Sequence, residues 1–267
     1  MRRLSLIPAT LAILVLAACS KDNASSSDSA SAGGASAAAG SIDTWRIVGP
    51  LVAGAQASDC GQMDRSNNQP GTVLAIGADG KVTGSGVDTD MSKPRSVQLI
   101  RERNGDAFKV SAMLTTDPEK GPTLGLNDDG SQGGASATLM AGDKHLYCTR
   151  GTPLARMRAE PLYKLMAQVL EAPPPKLSCM NLSTKLSSNE TAFKVANGVV
   201  TLGADTFDLG QAKQEQLLLA PQDDVVSYIF ELPGKPMIIL AYDASGKLKG
   251  VQGGSPGDPT HACQTEG

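Results

Sequence analysis

The chain has 267 residues, with 24 Lys and Arg against 27 Asp and Glu, and its net charge of −3 offers no electrostatic footprint for nucleic acid. Hydrophobic residues make up 40% and charged residues 19%, which excludes a disordered acidic chain and a multi-span membrane protein. With two histidines (His145 and His261) and 3% aromatics, little material remains for histidine metal sites, general-base schemes or stacking on sugars and bases.

The amino terminus opens with Arg2 and Arg3, followed by an apolar run from Leu4 to Leu16. Such a run is too short to span a bilayer comfortably and has the length of a signal-peptide core. It ends in Leu16-Ala17-Ala18-Cys19, where small residues suit a narrow peptidase cleft and the Cys supplies a thiol for acylation. This segment resembles the lipobox of bacterial lipoproteins. The resemblance implies a signal peptide over 1–18, a mature chain starting at a lipidated Cys19, and attachment to a membrane through that lipid. Ser20, where an Asp tends to hold such proteins at the inner membrane, implies the outer membrane, facing the periplasm. Loss of Arg2 and Arg3 leaves 22 basic against 27 acidic residues.

Residues 20–41 contain eight Ser, seven Ala and three Gly. That composition cannot bury enough apolar surface to offset its ordering entropy, so 19–41 is expected to be a lipidated flexible tether with a reach of roughly 25 Å.

Four cysteines follow: Cys60, Cys148, Cys179 and Cys263. In an exported protein an even number reads as a disulfide framework, with three possible connectivities. The spacing of 88 from Cys60 to Cys148 and of 84 from Cys179 to Cys263 suggests one bond within each half, and other features recur at matching offsets. Asp79-Gly80 and Asn197-Gly198 are hairpin-turn signals 20 and 19 residues past their cysteines. Val97-Gln98-Leu99-Ile100 and Gln216-Leu217-Leu218-Leu219 both start 37 residues past them. Turns at Gly130 and Gly246, and the pairs His145/Cys148 and His261/Cys263, complete five matches in one order.

Between these marks the pattern has period two: Phe108, Val110, Ala112 and Leu114 alternate with more polar neighbours, as do Val226, Tyr228, Phe230 and Leu232. Met237–Tyr242 reads as a central strand. The expected fold is therefore mainly β, with two tandem, duplicated small antiparallel β-barrels or sandwiches of five to seven strands over 42–152 and 177–267. A short helix over 160–171 with Leu162, Leu165, Met166 and Val169 on one face, then Pro173-Pro174-Pro175, forms a connection over 153–176.

No catalytic constellation emerges. Paired Cys spacing and export favour disulfides over a zinc or Cys–His site at His145/Cys148 and His261/Cys263. Asn127-Asp128-Asp129-Gly130 and Asp88-Thr89-Asp90 lack the ligand alternation of a calcium loop. Neither a nucleophile elbow nor a phosphate loop is present. The anchor, the compartment and the small disulfide-closed β-units are similar in arrangement to periplasmic lysozyme-inhibitor and immunity lipoproteins. That resemblance implies a cofactor-free, non-enzymatic module that binds an envelope protein such as a cell-wall hydrolase. The Ser-Gly-x-x-Tyr-like loop of several such inhibitors is absent, since Ser85-Gly86 is followed by Val87-Asp88-Thr89. An envelope assembly or scaffold lipoprotein is the alternative, and an exposed apolar patch or open strand edge would favour it.

Overall fold

Alternation along the chain, broken by glycine and asparagine turns, resolves into strands joined almost entirely by short antiparallel connections. The structure is a computed structural model that describes residues 43–62, 69–117, 119–152, 154–167, 169–181, 187–219, 225–243, 245–255 and 258–265. The leader, Cys19 and the expected tether lie outside the described residues.

A helix that the sequence reading did not anticipate, α1 (Thr44–Val52), comes first, with Asp43 accepting from Trp45 N–H at its start. The first half continues with β1 (Gln56–Gln62), β2 (Val73–Ile76), β3 (Lys81–Gly84), β4 (Val87–Asp90) and β5 (Ser96–Asn104). It ends with β6 (Ala107–Thr115), β7 (Thr123–Asp128), β8 (Ala135–Ala141) and β9 (Lys144–Gly151). After α2 (Ala155–Ala159) and α3 (Leu162–Met166), the second half runs through β10 (Lys176–Asn181), β11 (Ser187–Ala196), β12 (Val199–Leu202) and β13 (Asp205–Asp208). Then come β14 (Gln214–Leu219), β15 (Val225–Glu231), β16 (Met237–Asp243), β17 (Leu248–Ser255) and β18 (Asp258–Gln264). Each half thus holds more strands than the five to seven expected.

Two turns show the local chemistry. Asn197 and Gly198 both have positive φ (52° and 76°), which joins β11 to β12 through two residues and keeps the twist of the flanking strands. Gly80 (φ 84°) lies against Ser92, and a Cβ built there would come within 2.6 Å of the Ser92 Cα, so only glycine fits.

In the first half the ladders run β4-β3-β2-β1-β9-β8-β7-β6-β5, and in the second half β13-β12-β11-β10-β18-β17-β16-β15-β14, the same order nine strands on. The halves do not form two separate barrels or sandwiches, which corrects the sequence expectation. Strand β5 pairs antiparallel with β14 from Glu102↔Gln214 to Val97↔Leu219, and this ladder joins both halves in one large sheet that is not closed into a barrel. Val97-Gln98-Leu99-Ile100 and Gln216-Leu217-Leu218-Leu219, picked out as matching segments, are thus bonded to each other. At the far ends β4 carries Asp88 and Asp90, and β13 carries Asp205 and Asp208. Charges of this kind discourage further edge pairing.

The expected connecting helix over 160–171 is also corrected: among its described residues the helix is α3, Leu162–Met166, and α2 precedes it as a separate helix. Steric pressure from Pro161 holds Glu160 extended (φ −124°, ψ 143°), which ends α2 before α3 begins. Both helices lie on the inner side of the sheet, where Met157, Leu162 and Met166 are fully buried. One continuous core takes in Leu74, Leu99 and Leu124 from the first half and Leu217, Tyr228 and Leu240 from the second. The described residues fall within one compact unit, Ala39–Gly267.

Candidate functional site

Since successive strand residues point to opposite faces, the seam between the halves fixes what its outward face carries. On β5 the inward positions are Val97, Leu99 and Arg101, which leaves Gln98 and Ile100 outward and half-buried by their neighbours. Opposite them on β14 stand Leu218 and Gln216. One row across the sheet runs Met113, Gln98, Leu218, Ser227 and Ala241, on β6, β5, β14, β15 and β16. The next row runs Ser111, Ile100, Gln216, Ile229 and Ile239 on the same strands. Continued through β7 and β8 on one side and β17 on the other, the rows add Gly125, Thr138, Asn127, Ser136, Gly250 and Gln252. None of these positions carries a charge. Met113 (45%) and Met140 (40%) are large apolar side chains left exposed on this face. Glu102 and Lys109, opposite each other on β5 and β6, and Glu231 on β15 lie along one rim.

Over the first half this face dips into an open cleft of about 540 Å3. Ile100, Ser111, Asn127, Ser136 and Thr149 form its floor on five adjacent strands, with Tyr147 beside them and the Asp129–Gly134 loop along one wall. The cleft volume is in the range of ligand sites, but its lining of hydroxyls and amides, with Glu102, Lys109 and Asp129 at its edges, lacks the apolar majority of a small-molecule pocket.

On the inner side a buried polar network holds the seam. Glu215 of β14 is fully buried and accepts three hydrogen bonds: from Arg101 Nη1 of β5 (2.5 Å), Tyr228 Oη of β15 (2.5 Å) and the Leu162 N–H of α3 (3.0 Å). Arg101 also donates to the Arg158 carbonyl of α2 (3.1 Å from Nη2) and lies 3.4 Å over the Phe108 ring. Arg158 in turn pairs with the buried Asp128 (3.3 Å), whose other contacts are the N–H groups of Gly130 and Leu154. Both halves and α3 therefore meet at one carboxylate, and α2 joins them through Arg101. Of the few aromatics, Tyr163, Tyr228, Phe230 and Phe207 form a chain of ring contacts at 5.5–6.0 Å leading away from it.

Burial pushes the Glu215 carboxyl above its ordinary 4.5, against the opposing pull of Tyr228 and Arg101, and burial also raises the Tyr228 phenol. At the exposed turns, Ser92, Ser131 and Ser245 hold Asp90, Asp129 and Asp243 below their ordinary 3.8 through side-chain hydrogen bonds. The signs differ. Stability from a carboxyl with a raised folded pKa is present at low pH and lost as pH rises through that value. From the lowered aspartates it is present above 3.8 and lost as pH falls through their folded values. The thermal midpoint is therefore expected to rise as pH drops from neutral toward the Glu215 range and to fall once pH passes below about 4. Glu215→Gln should remove the rise and keep the acid-side fall, which melting curves across pH will read.

The residues singled out in the sequence fall as follows. Cys60 bonds Cys148 and Cys179 bonds Cys263, each pair directly opposed across neighbouring strands, β1–β9 and β10–β18. His145 is exposed on β9, opposite Met140. Asp128 is committed to Arg158 and two backbone amides, and Asp90 accepts from the Ser92 amide. Sequence reasoning missed Arg101 and Glu215. Their signal was present all the same, as charged residues at the inward step of the alternations Val97-Leu99-Arg101 and Glu215-Leu217. No family model, curated protein or solved structure matches this chain.

Proposed function

We propose that this chain is a lipid-anchored protein of the bacterial envelope that binds another protein without catalysis, and that its outward sheet face is the docking surface. The lipobox-like Leu16-Ala17-Ala18-Cys19 and the Ser/Ala/Gly tether carry the anchoring part of this reading, with the outer membrane as the expected site. The halves are read as copies of one unit. The observation that carries the binding part is the charge-free face with charges along its rim, the anatomy of a protein interface core. A broad face of this kind favours an assembly or scaffold role over plugging an enzyme cleft, which calls for a projecting loop.

Two measurements test this. Cys19→Ser should move the protein from the membrane to the soluble fraction, and unchanged membrane attachment would remove the anchor from the reading. Tagged full-length chain, extracted from envelopes in mild detergent, should retain envelope assembly proteins and lose them on Ile229→Lys. Retention of a stoichiometric cell-wall hydrolase would replace assembly by inhibition, and retention indifferent to Ile229→Lys would remove the face.

A further inference from the structure

We infer that the open cleft on the first half is a binding site for a short neutral oligosaccharide. This goes beyond protein docking and does not depend on it, since the cleft lies over β5 to β9 and Ile229 stands across the seam on β15. The polar part of the floor is one row. Ser111 opposes Asn127, Asn127 opposes Ser136, and Thr149 follows on β9. Among the described residues, none of these four side chains hydrogen-bonds to a protein group. Farther along the same β6–β7 ladder Thr115 and Thr123 do pair, hydroxyl to hydroxyl at 3.1 Å. The row thus turns three hydroxyls and an amide, each able to donate and accept, toward the cleft. The sheet does not require them. Past the seam the same row continues as Gln216, Ile229, Ile239 and Gln252, and the neighbouring row as Leu218, Ser227, Ala241 and Gly250. Neither sets four polar side chains on successive strands.

The lining also decides between ligand classes. Lys109 is the only cation among the described lining residues, and Glu102 and Asp129 stand with it, so phosphates and nucleotides meet net repulsion. An apolar ligand would bury little against Ile100 and Val110. A peptide that adds itself as a strand needs an open edge, and each of β5 to β9 is already paired on both sides. Sugar hydroxyls, closely spaced and both donating and accepting, match the floor. Half-buried Tyr147 beside the row offers its ring to the apolar face of one sugar. Five floor strands at about 4.8 Å spacing span roughly 19 Å, the length of a short oligosaccharide instead of a single ring. With one aromatic ring and an open cleft, hydrogen bonds made in competition with water supply most of the affinity, which is expected on the order of 1 mM.

The test uses the full-length chain in a detergent without a sugar headgroup, with cellotetraose, maltotetraose and chitotetraose as probes in saturation-transfer NMR. At least one tetraose is expected to receive saturation, with a Kd on the order of 1 mM. Asn127→Ala combined with Ser136→Ala removes two adjacent floor groups and should weaken binding on the order of tenfold. An unaltered thermal midpoint shows that this loss does not reflect unfolding. Thr149→Val, which keeps the β-branched shape and removes only the hydroxyl, should weaken binding severalfold and serves as the second variant. Ile229→Lys should leave sugar binding intact, so failure of the docking face and failure of the sugar site are separate results. Transfer to none of the three tetraoses, or equal binding by the floor variants, overturns the inference. Loss of sugar binding on Ile229→Lys would place the ligand outside the cleft and overturns it as well.

Discussion

Replacing Arg101 by Met is expected to destabilise the folded chain by about 3–5 kcal/mol, the cost of leaving a buried carboxylate without its counter-charge. Glu215 is fully buried, and its remaining donors, Tyr228 Oη and the Leu162 N–H, stabilise the charge without neutralising it. The carboxyl pKa, already raised by burial, should climb further as the protein takes up a proton instead. Adding Glu215→Gln to Arg101→Met restores most of the loss, since an amide still accepts from Tyr228 and Leu162 and no charge remains buried. Denaturant unfolding of the two single variants and the double variant measures the coupling. Near-additive effects would mean that the ion pair does not hold the seam. The effect should also spread, because the same carboxylate secures α3 and, through Arg101, the carbonyl of Arg158 in α2.

Removing either disulfide is the second large effect. The closed loops of 88 and 84 residues give about 4–5 kcal/mol in the chain-entropy account, and measured losses run from about 2 to 5. Cys179→Ala with Cys263→Ala should lower the thermal midpoint by roughly 5–20 °C for a unit of this size. Each bond ties the first strand of a half in the chain to its last, and these two lie side by side inside the ladder, so its loss loosens that central pair. Hydrogen exchange should then rise first in β10 and β18 and leave β1 and β9 protected. Equal loss of protection in both halves would instead mean that the single sheet unfolds as one cooperative unit.

Much of the fold was legible because it rests on local rules. Period-two alternation identified β6 and β15 and the side chains they bury, Phe108, Val110, Ala112 and Leu114 in one and Val226, Tyr228 and Phe230 in the other. Asp-Gly and Asn-Gly marked turns that do take positive φ at Gly80, Asn197 and Gly198. The helix over 160–171 was overextended at its far end, because Val169 keeps the apolar spacing although the helix stops at Met166. Helix α1 was missed, lying as it does at the junction with a low-complexity segment.

By itself, then, the sequence determined strands, turns, inward faces and the spacing that sets Cys60 with Cys148 and Cys179 with Cys263. Each of these follows from residues a few positions apart or from one repeated interval. Only the tertiary structure decided that β5 and β14 meet, making one sheet where two separate barrels or sandwiches were expected. An edge strand's choice of partner leaves no periodic trace, because the backbone groups that pair are the same in every residue. That single pairing brings Arg101 to Glu215 on the inside and places Gln98 and Ile100 beside Leu218 and Gln216 on the outside. The buried ion pair and the charge-free face are therefore two sides of one ladder.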